Sequence, residues 1–209
     1  MIVDAAPVRH RFTPRKIALL SGLSDPSTCA LTGVQSQFLA ALDADADEKI
    51  ALNFPYVPCA AQASRPPLWL ASWRNFHQFL SARKPRYRHA ASRHWRALAD
   101  SCDELLVITL SCGLEILNQC IDANDEQRAI SVIALGPVAR KAPPLDCTLV
   151  RGEGDRIAQW FFPQCDVVLS GVGHMDYLRH AATLHLVNER LCGNTSKSSA
   201  PVSTSRNAR

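Results

Sequence analysis

The sequence predicts an α/β protein: a three-layer sandwich with a mostly parallel sheet of about six strands. Short, continuous apolar runs recur along the chain, such as KIALLSGL at 16–23, LLVITLS at 105–111 and AISVIAL at 129–135. Between them lie stretches whose apolar residues fall at helical spacing, such as Val34, Phe38, Leu39 and Leu42. Buried strands alternating with amphipathic helices mean βαβ units and a sheet covered on both faces. The runs also finish in small or polar residues, which is where open parallel sheets carry their functional groups.

Residues 1–15 read as an irregular lead-in, followed by the first strand at 16–23 and turn residues Asp25, Pro26 and Ser27. The first helix is expected at 32–43 and the second strand at 49–54. Four prolines make 55–67 a loop. Helices follow at 68–82 and 89–101, separated by the Lys84-Pro85-Arg86 break. The third strand, 105–111, leads into a helix at 114–122; the fourth and fifth strands are 129–135 and 147–151. A short helix or turn at 157–162, a sixth strand at 166–170 and a long helix at 175–191 complete the domain, taken as 16–192. The polar stretch 193–209 has too little apolar content to order itself and reads as a disordered tail.

With 209 residues, 47% of them hydrophobic and 20% charged, the chain suits one globular domain and excludes disordered and fibrous classes. The N-terminal stretch has no apolar signal region, and no run approaches the roughly 18 residues a membrane span needs. A cytoplasmic location and no membrane partner are therefore expected. The eight cysteines form no Cys-x-x-Cys pair and no zinc spacing with histidine, which suits small buried hydrophobes in a reducing compartment. No metal or cofactor is expected. A net charge of +4 does not by itself imply nucleic acid.

The third strand ends abruptly in Ser111, Cys112 and Gly113 before the next helix. A buried strand turning sharply through small residues into a helix lifts one hydroxyl clear of the sheet, so Ser111 is the candidate nucleophile. The positions two before and two after it must be small; Gly113 fits and Thr109 departs from the usual glycine. The fifth strand runs into Gly152-Glu153-Gly154-Asp155-Arg156-Ile157 and the sixth into Gly171-Val172-Gly173-His174-Met175-Asp176-Tyr177. From about 16 to 191 this pattern resembles the α/β-hydrolase superfamily, whose triad runs in the order Ser, Asp, His. The resemblance implies a small, cap-less serine hydrolase with Ser111, Asp155 and His174 as its triad. It also implies two oxyanion donors: the backbone N–H of Cys112, and that of Leu23 in the loop after the first strand.

Those residue types suit acyl transfer. Imidazole takes the serine proton near neutral pH, and the aspartate fixes its tautomer and stabilises the imidazolium. Asp155 has a second reading, as N-cap of the helix after it. Asp176, two residues from the histidine, is a poorer acid and a cap for the last helix, and Asp146 precedes a strand. Cys112 is the rival nucleophile, but at the elbow tip it would put Leu110 and Leu114 at the positions that must be small. Most of the other histidines read as surface or helix residues.

The sheet lacks the two leading antiparallel strands of larger hydrolases, and 136–146 is too short for a helical cap. Cover for the site would come from loop 55–67 and from Trp69 and Trp73, the candidate substrate-binding residues, with Phe76 and Phe79 in the core. Between Arg74 and Arg96 lie seven basic and no acidic residues, with Tyr87 and Trp95 among them. Such a run is a solvated face or a dock for an acidic partner. The expected activity is hydrolysis of a small-molecule carboxylic ester or acyl thioester through an acyl-enzyme, the thioester being carried by an acyl carrier protein or coenzyme A. The alternatives are a catalytically silent hydrolase-like binding module and, less favoured, a nucleic-acid-binding protein using 74–96.

Overall fold

The structure, a computed structural model, describes residues 2–22, 28–58 and 83–198. The strands are β1 (Thr13–Ser21), β2 (Lys49–Asn53), β3 (Cys102–Leu110), β4 (Ala129–Leu135), β5 (Asp146–Gly152) and β6 (Val167–Leu169). They form one sheet in the order β2-β1-β3-β4-β5-β6, and every pair is parallel. The sheet therefore grows one way from β1 to β2 and the other way from β3 onward. The reversal leaves a crevice at the carboxyl ends of β1 and β3, where such sheets place their sites. Register brings those ends level: Ser21 lies beside Leu110, and Leu110 beside Leu135.

The two-residue alternation of β1, β3 and β4 divides the core into two layers. Ala18, Leu20, Leu105, Val107, Val132 and Ala134 face one way. There they meet α2 (Pro85–Ala99) through Tyr87, Ala91, Trp95 and Leu98, and α3 (Gly113–Cys120) through Leu114, Ile116 and Leu117. Ile17, Leu19, Leu106, Ile108, Ile133 and Leu135 face the other way. They meet Phe38 and Leu39 of α1 (Gly33–Ala40), and Val187 and Leu191 of α5 (Ala181–Ser198). With α4 (Arg156–Phe161) after β5, the result is the expected three-layer α/β sandwich. Among the described residues no helix is long and apolar enough to cross a membrane.

Several boundaries differ from expectation for local reasons. β1 begins at Thr13, whose N–H donates to Ser101 O at 3.1 Å, and the supposed lead-in carries a 3-10 turn, Ile2–Asp4. Val3 of that turn is buried and its carbonyl lies 3.0 Å from His94 Nε2, so His94 is a core residue of α2. Thr32 does not begin α1 but caps it, forming a reciprocal capping box with Gln35. The Lys84-Pro85-Arg86 break is the start of α2, because a proline in the first turn sacrifices an N–H that has no helical partner there.

The long closing helix expected at 175–191 is instead a 3-10 turn, Tyr177–Arg179, followed by α5. α5 also continues through Ser198, into the stretch expected to be a disordered tail, whose remaining residues 199–209 lie outside the described residues. Most of loop 55–67 and the whole of the predicted helix 68–82 lie outside them too.

Candidate active site

β3 ends at Leu110, and Ser111 turns the chain with φ of 52°, in the left-handed region that non-glycine residues rarely occupy. Strain of this kind persists only where neighbours over-determine it. Here the Ser111 N–H donates to Leu135 O at 3.1 Å, and the Ser111 carbonyl accepts from Val138 N–H at 3.1 Å and Leu114 N–H at 3.4 Å. The end of β4 thus grips the turn on both sides. α3 then leaves directly over β1, so closely that a Cβ on Gly113 would stand 2.0 Å from Leu20 O. Only glycine permits that approach.

Thr109 departs from the expected glycine without disturbing the turn. It is fully buried, flanked in register by Leu20 and the small Ala134, and its hydroxyl has no hydrogen-bond partner among the described residues. The strand-to-helix elbow, the parallel sheet and the single reversal of strand order together decide the architecture. It is an open, all-parallel α/β sandwich of six strands.

Across the crevice the structure brings Ser111, His174 and Asp155 together. Ser111 Oγ lies 3.0 Å from His174 Nε2, and His174 Nδ1 lies 2.8 Å from Asp155 Oδ2. His174 sits in the loop after β6, and its side chain is 19% exposed, open enough for a substrate to reach. An ionised carboxylate only accepts, so Nδ1 carries the proton toward Asp155 and Nε2 of the neutral ring is the acceptor for the Ser111 hydroxyl.

Asp155 makes the contacts that both readings call for. Its Oδ1 accepts from Ala158 N–H at 2.9 Å, capping α4, while Oδ2 faces the histidine. Burial disfavours its charge, yet the hydrogen bonds from His174, Tyr177 and Ala158 outweigh that and hold its carboxyl below the ordinary aspartate range. Asp176 lies ahead of the 3-10 turn but makes no side-chain cap; its Oδ2 accepts from Gly173 N–H at 3.2 Å, within the histidine loop. Asp146 is the first residue of β5 and pairs with Arg190.

Cys112 occupies the N-cap position of α3, and its backbone N–H is not taken up by any carbonyl among the described residues. The Cys112 thiol itself is buried, and that burial pushes it up to about 12, which keeps it protonated near neutral pH. Leu23, Trp69 and Trp73 lie outside the described residues. The chain leading to Leu23 is firmly held, however: the Asn53 amide donates to Ser21 Oγ at 2.9 Å and accepts from Ser21 N–H at 2.9 Å, and Gln35 Nε2 donates to Ser21 Oγ at 3.0 Å.

Sequence reasoning missed three supporting groups. Tyr177 donates its hydroxyl to Asp155 Oδ2 at 2.6 Å; its place three residues after the histidine was the available signal. Gly136, with φ of 57°, ends β4 beneath Tyr177 and Asp155. Glu115, almost fully buried in the first turn of α3, accepts from Arg83 Nε at 2.8 Å and from Arg140 N–H at 3.2 Å, tying the chain ahead of α2 and the loop after β4 to the elbow helix. Nothing local marks a helical glutamate for that position. Among the described residues no group of three or more His, Cys, Asp or Glu could hold a metal ion.

The sequence matches no protein-family profile and no curated protein. Two solved structures from Agrobacterium tumefaciens are similar in shape. One is a protein of unknown function provisionally described as an alpha/beta hydrolase; it is 12% identical, with 93% of this chain and 91% of that one covered and a TM-score of 0.49. The other, a protein of unknown function from strain C58, is 13% identical, with coverages of 90% and 94% and a TM-score of 0.43.

Proposed function

We propose that the protein is a serine hydrolase that cleaves a carboxylic ester or thioester through an acyl-enzyme on Ser111. The observation that carries the reading is the continuous chain from Ser111 Oγ to His174 Nε2 at 3.0 Å and from His174 Nδ1 to Asp155 Oδ2 at 2.8 Å, mounted on a turn held at positive φ. A hydroxyl, a base and an orienting carboxylate in that order are the parts nucleophilic acyl transfer requires.

In the reaction, Ser111 Oγ attacks the carbonyl carbon while His174 Nε2 takes its proton. The oxyanion receives the Cys112 N–H at the N-terminus of α3. Collapse breaks the bond to the leaving alkoxide or thiolate, which takes the proton from His174. Water then repeats the sequence on the acyl-enzyme and releases the acid. Asp155 stays ionised throughout and stabilises the imidazolium.

An acyl thioester whose leaving group carries phosphate, on a carrier protein or as coenzyme A, is the substrate form that would use the exposed Arg86, Arg88, Arg93 and Arg96 of α2. The direct test is labelling with a fluorophosphonate probe and peptide mapping. Modification of Ser111 that is lost in Ser111→Ala and His174→Ala, together with p-nitrophenyl ester turnover lost in the same variants, supports the reading. Folded protein that takes no label and turns over no ester is instead a silent binding module.

A further inference from the structure

Asp155 is 1% exposed and Tyr177 2% exposed, so water supplies neither with hydrogen bonds. The direction of the bond between them follows from a third group. Gly152 N–H, at the end of β5, donates to Tyr177 Oη at 2.7 Å, leaving the hydroxyl's own proton for the acceptor beside it, Asp155 Oδ2 at 2.6 Å. The same Oδ2 receives His174 Nδ1 at 2.8 Å. Two donors therefore share one carboxylate oxygen.

We infer that Tyr177 is a positioning residue of this site: its hydroxyl fixes Asp155 against rotation and draws off part of the carboxylate charge, which tempers how strongly Asp155 favours protonated His174. The inference rests on the serine-hydrolase reading for its consequence in catalysis, though the electrostatic coupling can be measured without it.

The arrangement is built into the backbone. A Cβ on Gly136 would stand 2.7 Å from Tyr177 Cε2 and 2.9 Å from Asp155 Oδ2, so the end of β4 has room for this pair only because it carries no side chain. The 3-10 turn that interrupts the closing helical stretch delivers Tyr177 beneath β5, where an unbroken helix from 175 would not. Hydrogen bonds to an ionised acceptor are shorter and about twice as strong as neutral ones, and each donor added to a carboxylate lowers its basicity toward the others. Burial and the bond to Asp155 also raise the Tyr177 hydroxyl above the usual tyrosine range, so it remains a donor throughout the pH range of the test. Among the described residues, Arg151 on β5 is felt by the Tyr177 hydroxyl, and Asp176 is turned to the Gly173 N–H.

The test reads the titration of the His174 imidazole by NMR in wild-type protein, in Tyr177→Phe and in protein carrying 3-fluorotyrosine at position 177. Phenylalanine removes the donor, returns charge to Oδ2 and moves the His174 midpoint up by about half to one pH unit. Fluorotyrosine keeps the shape of the ring but is the stronger acid and the stronger donor, so it moves the midpoint down. The acid limb of the fluorophosphonate labelling rate follows both shifts.

A tyrosine that merely packs would lower stability in Tyr177→Phe without shifting the two titrations in opposite directions. Midpoints that stay in place, or that move the same way in both proteins, overturn the inference. Absence of labelling at Ser111 in wild-type protein overturns the hydrolase reading instead, and the titration still decides the role of Tyr177.

Discussion

Replacing Asp155 with asparagine keeps the shape of the side chain and removes its charge, and the three donors around it make the outcome calculable. Oδ1 faces Ala158 N–H at 2.9 Å; Oδ2 faces His174 Nδ1 at 2.8 Å and Tyr177 Oη at 2.6 Å. An amide offers one acceptor and one donor, so one of these places must receive an NH2 group. If it lies at the Oδ1 place it meets the Ala158 N–H donor to donor, which costs about 1–3 kcal/mol for the unpaired buried group. If it lies at the Oδ2 place, the tyrosine oxygen can accept it beside the Gly152 N–H, but the hydroxyl's own proton then loses its acceptor.

The second orientation is the one with a consequence for catalysis. There the NH2 forces His174 to accept at Nδ1 and to carry its proton on Nε2, facing Ser111. A base with its proton already in place cannot take another, and the expected loss is about 10³–10⁴-fold in labelling or ester turnover, or about 4–5.5 kcal/mol of transition-state stabilisation.

Stability carries a second signature. Asp155 has a folded pKa below its unfolded value of 3.8, so its charge contributes stability above that value, and the contribution is lost as pH falls from 3.8 through the lower folded value. The amide of the Asp155→Asn variant does not titrate, so the stability gap between wild type and variant narrows on acidification through that window. The assay is the probe-labelling rate at neutral pH with urea unfolding from pH 7 downward. A folded Asp155→Asn protein labelled within about tenfold of wild type would refute the tautomer argument, since that is only about 1.4 kcal/mol.

Two further variants separate the elbow from its neighbours. Cys112→Ala is expected to label at Ser111 at the wild-type rate, and in wild-type protein at pH 8 iodoacetamide should modify the exposed Cys192 while sparing Cys112, whose thiol is pushed up to about 12; alkylation of Cys112 in folded protein would contradict this. Gly113→Ala drives a methyl to within 2.0 Å of Leu20 O, a backbone atom of the central strand that cannot give way, and should cost about 3 kcal/mol or more in urea unfolding. A loss below about 1 kcal/mol would mean that α3 can lift off β1 cheaply.

Much of the fold was legible in the chain because strand signals are local. Buried parallel strands read as continuous apolar runs, and the central ones, β3 and β4, stand close to where 105–111 and 129–135 placed them. Helix boundaries were less legible, since capping depends on which way a side chain turns. Thr32 looked like the first residue of a helix and caps it, and Pro85 looked like a break and begins one. Partition of the helices between the faces, α2 and α3 on one and α1 and α5 on the other, was not in the sequence at all, because each helix shows only that it has a buried side.

The sequence by itself determined which groups stand at the strand ends: a hydroxyl after β3, a carboxylate after β5 and an imidazole after β6. Strand order and register alone decided that these ends lie side by side, with Ser111 and His174 63 residues apart in the chain and 3.0 Å apart in space. Tertiary packing also decided what no local pattern holds: the backbone carbonyl of Leu20 that requires Gly113, the bare corner at Gly136, and the Tyr177 hydroxyl on Asp155. Such contacts join residues from separate βα units, so their energies depend on distances the chain acquires only when the whole sheet has formed.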